Sequence, residues 1–272
     1  MVNHVANKLG KKPAVYDPRT LKYRAFRTTP FPKPPLTLDY SKGVEDWGMD
    51  LNGPNHYKHG VPGAGLGDCV PAAAAHGEEV WTLNAGGSLV KVPNGAVLKK
   101  YEAWGGYIPG DPNTDNGCVI LQALKGWIKS GFNLHPALYA FVALHEIGNS
   151  SQMTMDIEMI KEAMWLFGGV DIGIQLPLAW QTAKVWDVGP ANDPNYERNS
   201  WGGHSIWFVG YNATGPVAIT WGSLVQITWA AVTAYVDEGY ACLSRDFISA
   251  TGLAPSKYNF AALDAALQVV AA

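Results

Sequence analysis

The chain has 272 residues, of which 47% are apolar, 16% charged and 11% aromatic, with a formal net charge of −3 and a pI near 6.1. This composition excludes a mainly disordered chain, and the length allows a large core without disulfide bridges. The slightly acidic balance argues against nucleic acid as the main partner, because a polyanion requires a clearly basic field.

Cysteine is sparse, with three residues at Cys69, Cys118 and Cys242, so we expect reduced thiols or at most one disulfide bridge. Residues 1–12 are polar and lack the apolar core of a signal peptide. Later in the chain, no uninterrupted apolar run approaches the ~18 residues of a membrane span. We therefore predict a soluble protein without a signal peptide or a membrane partner.

Charge separates the first 40 residues from the rest of the chain. Residues 1–40 hold eight Lys or Arg against two Asp, a net of +6, which leaves 12 basic and 21 acidic residues, a net of −9, for residues 41–272. Six prolines favour an extended path. We interpret residues 1–40 as a Pro-rich, basic, extended arm lying on one acidic domain, residues 41–272. Two alternatives stay open: a propeptide that covers a cleft, and a docking arm for a homo-oligomer or a larger assembly.

The first half of the body has the pattern of helices. In the predicted helix at residues 155–167, apolar residues recur at helical spacing, Thr154 is the predicted N-cap and Gly168-Gly169 ends the helix. The predicted helices cover residues 71–83, 95–104, 116–130 and 155–167.

The second half alternates apolar, β-branched and aromatic residues, which predicts strands. Asn259 is a predicted cap for a closing helix. Helices followed by an antiparallel β-rich half give an α+β fold. The predicted strands lie around residues 170–174, 206–208, 217–219, 232–235 and 240–243.

Cys69 is the first candidate for chemistry. It follows Gly65-Leu66-Gly67-Asp68 and enters a predicted helix, where unpaired N–H groups and the helix dipole favour a thiolate. The alternative is a buried, inert thiol.

His204 is the second candidate, because it opens a predicted strand directly after Gly202-Gly203. The paired glycines remove side-chain bulk, so that another group is able to approach the histidine. The run Ile219-Thr220-Trp221-Gly222 ends the next predicted strand and is expected to pair beside it.

Together these motifs resemble the papain-like cysteine peptidases, and the 135-residue separation of Cys69 and His204 falls within the ~130 to 150 typical of that family. The resemblance implies that Cys69 is the nucleophile, His204 the base and later the acid, and Trp221 the shield of the histidine's hydrogen bond. It also places Gly67, Asp68 and Gly203 at the substrate cleft. The Gly-Asp-Cys start, the run Tyr235 to Glu238 and the Pro-rich arm look most like uncharacterised papain-like proteins of bacteria and phages.

Two positions depart from the family pattern. Ile219 stands where the family has an Asn that orients the histidine, and Gly63 stands where it has a Gln of the oxyanion hole. A small register shift of the strand would bring the Thr220 hydroxyl to the histidine; otherwise a backbone carbonyl orients the ring or the site is inactive. Asn52, with Asn55 behind it, is the candidate amide donor, and residues 54–64 are an apparent insertion.

These patterns predict a thiol hydrolase that cleaves a peptide or other amide through a Cys69 thioester, with a peptide or protein as substrate. The alternatives are an inactive structural or interaction protein, for example a virion component docked through its arm, and acyl transfer by the same pair.

We expect no metal and no cofactor, because zinc-site spacing is missing among His56, His59, Cys69 and His76. The expected location is the cytoplasm or a virion.

Overall fold

The computed structural model describes residues 7–23, 33–48, 65–85, 87–132, 140–144, 156–247, 254–256 and 261. Within this part of the chain, helices precede most of the sheet, which confirms the predicted α+β plan. The helices are α1 (Cys69–Ala85), α2 (Asn94–Gly105), α3 (Ile120–Lys129), α4 (Ile157–Phe167) and α5 (Trp229–Tyr235). The strands are β1 (Leu38–Asp39), β2 (Ala140–Ala143), β3 (Val170–Leu176), β4 (Val185–Trp186), β5 (Gly202–Tyr211), β6 (Pro216–Thr220), β7 (Ser223–Ile227) and β8 (Val236–Leu243).

The strands form one eight-stranded sheet in the order β2-β8-β3-β5-β6-β7-β4, with β1 paired to the end of β5. Its pairs are antiparallel except for β4 with β7. β3 and β5 lie at the centre, and Ile174 of β3 pairs with His204 of β5. The long central pairing fixes the position of the histidine within the most extensively bonded part of the sheet.

Apolar side chains bury the two faces of the sheet in separate clusters. One cluster joins α1, α2 and α3 to Trp207 and Ile219, and the other joins α4 and α5 to Ile206 and Phe208. Trp207 packs edge-on against Trp81 of α1, with ring centroids 5.5 Å apart. Successive residues of β5 therefore face opposite clusters, as the period of a strand requires.

Three sequence predictions about secondary structure are corrected. The helix predicted from residue 116 begins at Ile120, because Cys118 is instead paired with Lys11 in an isolated bridge. The cap of α4 is not Thr154 but Asp156, whose side chain accepts a hydrogen bond from the Met159 N–H.

Residues 232–235 were expected to form a strand but lie in α5. The Thr228 side chain caps this helix by accepting from the Ala231 N–H, and tertiary burial outweighs the strand preference of Val232. The predicted cap Asn259 and most of its helix lie outside the described residues. In the part of the chain that is described, no helix combines the length and apolar character needed to cross a bilayer.

The described part of the arm is attached to the body at several points. Lys22 forms a bridge to Ala143 of β2, and Tyr211 donates its hydroxyl to the carbonyl of Pro35. Tyr23 is fully buried and donates its hydroxyl to Oε1 of Glu162 at 2.8 Å.

Replacing Tyr23 with Phe is expected to lower the free energy of unfolding by about 1 to 3 kcal/mol, because a buried carboxylate oxygen loses this donor. Urea denaturation measures the change. Tyr16→Phe is the matched control, since Tyr16 is 52% exposed and should leave the stability nearly unaltered. Equal stability of the two variants would show that the Tyr23 bond does not anchor the arm.

Candidate active site

Cys69 is the first residue of α1, and the carbonyl of Asp68 accepts the Ala72 N–H at the start of that helix. The backbone N–H groups of Ser205 and Gly10 lie close to the sulfur and favour the thiolate by lowering the pKa of Cys69. Burial acts in the opposite direction and is stronger, so the pKa of the Cys69 thiol is raised to about 12. In this arrangement Cys69 is a neutral thiol at physiological pH.

His204 lies on β5 and is 1% exposed. Its Nε2 is 2.7 Å from the Thr220 hydroxyl, and its ring stacks on Trp221 with centroids 4.6 Å apart and planes at 19°. Ser205, whose backbone lies close to the Cys69 sulfur, follows His204 directly. The helix that begins with the cysteine therefore abuts the strand that carries the histidine.

Thr220 contacts His204, whereas Ile219 does not. Ile219 pairs with Trp207 and packs in the cluster beneath the helices, whereas Thr220 points to the other face. The pairing of β5 with β6 shifts register between Phe208 and Gly210. The Thr220 hydroxyl thus lies beside the ring, as one of the alternatives for orienting His204 requires, and the catalytic role of Thr220 stays a prediction.

Residues 9–12 of the arm pass between the two walls of this site. The Cys118 N–H donates to the carbonyl of Gly10 on the helical wall at 2.8 Å, and the Lys11 N–H donates to the carbonyl of Gly203 on the strand wall at 3.1 Å. A Cβ atom on Gly10 would overlap with the backbone of Gly67. The arm thus fills the space in front of Cys69, and it is the group that approaches the paired glycines before His204.

Two lysines of the arm are paired with carboxylates on the two walls. Lys8 contacts Asp115, which also accepts hydrogen bonds from the Gly67 N–H and from the hydroxyl of Tyr101. Lys11 is paired with Asp237 and Glu238. The charge difference between arm and body predicts a basic arm on an acidic body, but charge totals do not specify these pairs.

The other predicted site residues fall into two groups. Gly67 lies against Gly10 of the arm, Gly203 accepts a hydrogen bond from the Lys11 N–H, and Asp68 directly precedes Cys69; their role in a substrate cleft stays a prediction. Asn52, Asn55 and Gly63, which concern the oxyanion hole, lie outside the described residues. Among the residues that are described, no three His, Cys, Asp or Glu side chains are grouped so that they could hold a metal ion.

Comparison with solved structures identifies the architecture. The chain superimposes on xylellain, a cysteine protease from Xylella fastidiosa, with a TM-score of 0.58 and 13% identity, covering 88% of this chain and 97% of that one. It is similar to the proform of Amb a 11, a cysteine protease and ragweed pollen allergen, with a TM-score of 0.53, 13% identity and coverage of 84% and 71%. The chain has the papain-like fold.

A further papain-like match is the bromelain protease from Ananas comosus in complex with the E64 inhibitor, with a TM-score of 0.51, 12% identity and coverage of 78% of this chain and all of that one. No family model matches the chain, and no curated protein matches it in sequence. The similarity therefore defines the papain-like fold. The closer relation to uncharacterised bacterial and phage proteins stays a prediction.

Proposed function

We propose that this protein is a thiol hydrolase that cleaves a peptide or another amide through Cys69 and His204. The observation that supports the proposal is the packing of α1, which begins with Cys69, against β5, which carries His204, with the backbone of Ser205 close to the Cys69 sulfur. Thr220 and Trp221 hold the imidazole ring from its other sides. A cysteine at a helix N-terminus beside a positioned histidine is the arrangement that nucleophilic catalysis requires.

In the reaction, the Cys69 thiol gives its proton to His204, and the thiolate attacks the carbonyl carbon of the substrate. The C–N bond then breaks, and the imidazolium protonates the leaving amine. His204 next takes a proton from water, whose oxygen attacks the thioester and releases the acid with the regenerated thiol. Thr220 is proposed to orient the ring by accepting from the Nε2–H of the imidazolium.

The arm is proposed to keep this site latent, which combines the strap and propeptide interpretations. With residues 9–12 in the cleft, the sulfur is desolvated and its pKa is raised, so the thiolate is scarce. When the arm leaves, water and substrate reach the sulfur, and the helix dipole and the histidine act on it without that penalty.

Selective alkylation at a pH of about 5 to 6 tests the proposal. The variant Gly10→Val, in the full chain, displaces the arm because its side chain has no room beside the backbone of Gly67. We expect iodoacetamide to modify Cys69 of this variant at least about tenfold faster than in the unaltered protein. Peptide mass spectrometry measures the three cysteines separately, and Cys118 and Cys242 serve as internal controls.

Two further variants complete the test. Val15→Ala changes an exposed residue of the arm and should leave Cys69 slow. Adding His204→Ala to Gly10→Val should return Cys69 to the rate of an ordinary thiol, since the proton acceptor is gone. If Cys69 reacts no faster than the other two cysteines in Gly10→Val, the hydrolase proposal fails, and the inactive structural protein becomes the better interpretation.

A further inference from the structure

A buried acidic pocket lies beside the proposed catalytic pair and contains a lysine side chain. We define this acidic pocket by Gly173, Asp237 and Glu238. The Lys11 Nζ is 2.8 Å from Oδ2 of Asp237 and 3.0 Å from Oε1 of Glu238, and the lysine side chain is fully buried. An ammonium group is buried in this way only when its charge is closely compensated.

The position of this lysine relative to the sulfur is defined by the backbone of the arm. The backbone of Gly10 lies close to the Cys69 sulfur, and the next residue, Lys11, donates its N–H to the carbonyl of Gly203. The acidic pocket therefore takes the side chain adjacent to the residue that lies against the nucleophile. Any extended peptide bound along the same wall would present a side chain to this pocket.

The pocket is held by the sheet and not by the arm. Glu238 pairs with Gly173 across β3 and β8, and its Oε2 accepts a hydrogen bond from the Tyr240 hydroxyl at 2.9 Å. Asp237 accepts a hydrogen bond from the side-chain amide of Gln175. These donors stay in place when the arm departs, so both carboxylates remain oriented toward the space that the lysine occupied.

Gly173 gives the pocket its depth. A Cβ atom at this position would overlap with Cε of Lys11, so the absence of a side chain makes room for the last carbons of a long cation. Burial opposes the charge of Lys11, but Glu238 and Asp237 outweigh it and raise the pKa of the ammonium. The pocket therefore fits a side chain that is both long and positively charged.

We propose that the acidic pocket selects peptide substrates that carry a lysine or arginine side chain at the position adjacent to the residue lying against Cys69, with Lys11 as the occupant it replaces. This inference rests on the proposed hydrolase function. An apolar side chain in the pocket would leave two oriented carboxylates without a cation, which is the costlier arrangement.

Binding of a peptide in trans tests the inference without requiring chemistry. The protein is the full chain with Gly10→Val and Cys69→Ala, and the probe is a fluorescent nonapeptide with the sequence of residues 7–15. Fluorescence anisotropy compares this peptide with analogues that carry norleucine in place of one lysine. We expect norleucine at the Lys11 position to weaken binding by at least about tenfold.

Norleucine at the Lys8 position is the matched control, because Lys8 is 40% exposed and its salt bridge is screened by solvent. It should weaken binding much less. Adding Asp237→Asn and Glu238→Gln to the protein should remove the preference for lysine at the Lys11 position. If that double variant does not fold, Asp237→Asn alone, at a partly exposed residue, should reduce it. Equal binding of the lysine and norleucine peptides would overturn the inference.

Gly173→Ala tests the depth of the pocket, since a Cβ atom there would meet Cε of Lys11 and also Cγ of Glu238. It should weaken binding of the lysine peptide while a peptide with alanine at the same position binds as before; equal weakening of both would overturn the proposed depth of the pocket.

The failures of the two proposals are also distinct. Lysine-dependent binding without rapid alkylation of Cys69 removes the hydrolase function, whereas rapid alkylation without lysine preference removes the selectivity.

Discussion

Replacing Cys69 with Ala in the Gly10→Val protein is expected to lower the rate of peptide hydrolysis by at least about 10³-fold. The reason is that this variant lacks the sulfur that attacks the carbonyl, forms the thioester as the amine leaves, and is released when water hydrolyses the thioester. Replacing His204 with Ala should cause a loss of similar size, because the thiol then has no proton acceptor and the amine no proton donor.

Release of fluorescence from a dye-labelled, unfolded protein such as reduced casein measures the rate. The double variant Cys69→Ala with His204→Ala should be no slower than the slower single variant, since two residues that act as one unit do not add. Cys242→Ala, which removes a buried thiol from β8, is the control and should keep most of the rate. Hydrolysis that persists in Cys69→Ala would assign the activity to another group.

Replacing Thr220 with Val, in the same background, is expected to lower the rate by about 10- to 100-fold, the value of a lost hydrogen bond to a charged group. The Thr220 hydroxyl is 2.7 Å from Nε2 of His204, and valine keeps the shape of the side chain without the acceptor. The loss should appear mainly in kcat, because the bond acts on the ring and not on the substrate.

The pH dependence distinguishes orientation of the ring from a packing effect. Without the acceptor, the imidazolium paired with the thiolate is less stable. The alkaline limb of the rate profile, where the imidazolium loses its proton, should therefore move to lower pH, while the acid limb, where the ring is protonated on both sides, should move little. Thr220→Ser, which retains the hydroxyl, is the conservative control and should restore the alkaline limb. If Val and Ser variants show the same profile, Thr220 does not position the histidine.

Much of the secondary structure was predictable because it depends on local patterns. The spacing of apolar residues identified α1, α2 and α4 and the central strands, and helix entry identified Cys69 as a candidate. The same local reasoning failed at Val232, whose strand preference was overridden by a capped, buried helix. Local reasoning also predicted that α3 begins at residue 116, whereas Cys118 pairs with Lys11 of the arm. Local patterns do not predict this pairing, because the two residues are more than 100 positions apart in sequence.

The proposed site was likewise predictable only in part. The resemblance to papain-like peptidases implied that Cys69 acts with His204, and strand geometry suggested Thr220 as an orienting residue. It did not identify Lys11, Asp237 and Glu238 as one group, because the lysine and Asp237 are separated by 226 positions. The excess of positive charge in the arm predicted attraction to the body, but charge totals do not specify which carboxylates are met.

The sequence by itself determined that helices precede a strand-rich half, and it indicated the two candidate reactive side chains and the opposite charges of arm and body. These features follow from periodicity, residue type and composition, which are local or summed quantities. Tertiary structure decided that residues 9–12 lie in front of the sulfur, that a register shift accompanies the approach of Thr220 to the ring, and that one lysine fills an acidic pocket. Each of these depends on the packing of distant segments, where a shift of one residue exchanges the side chains that meet.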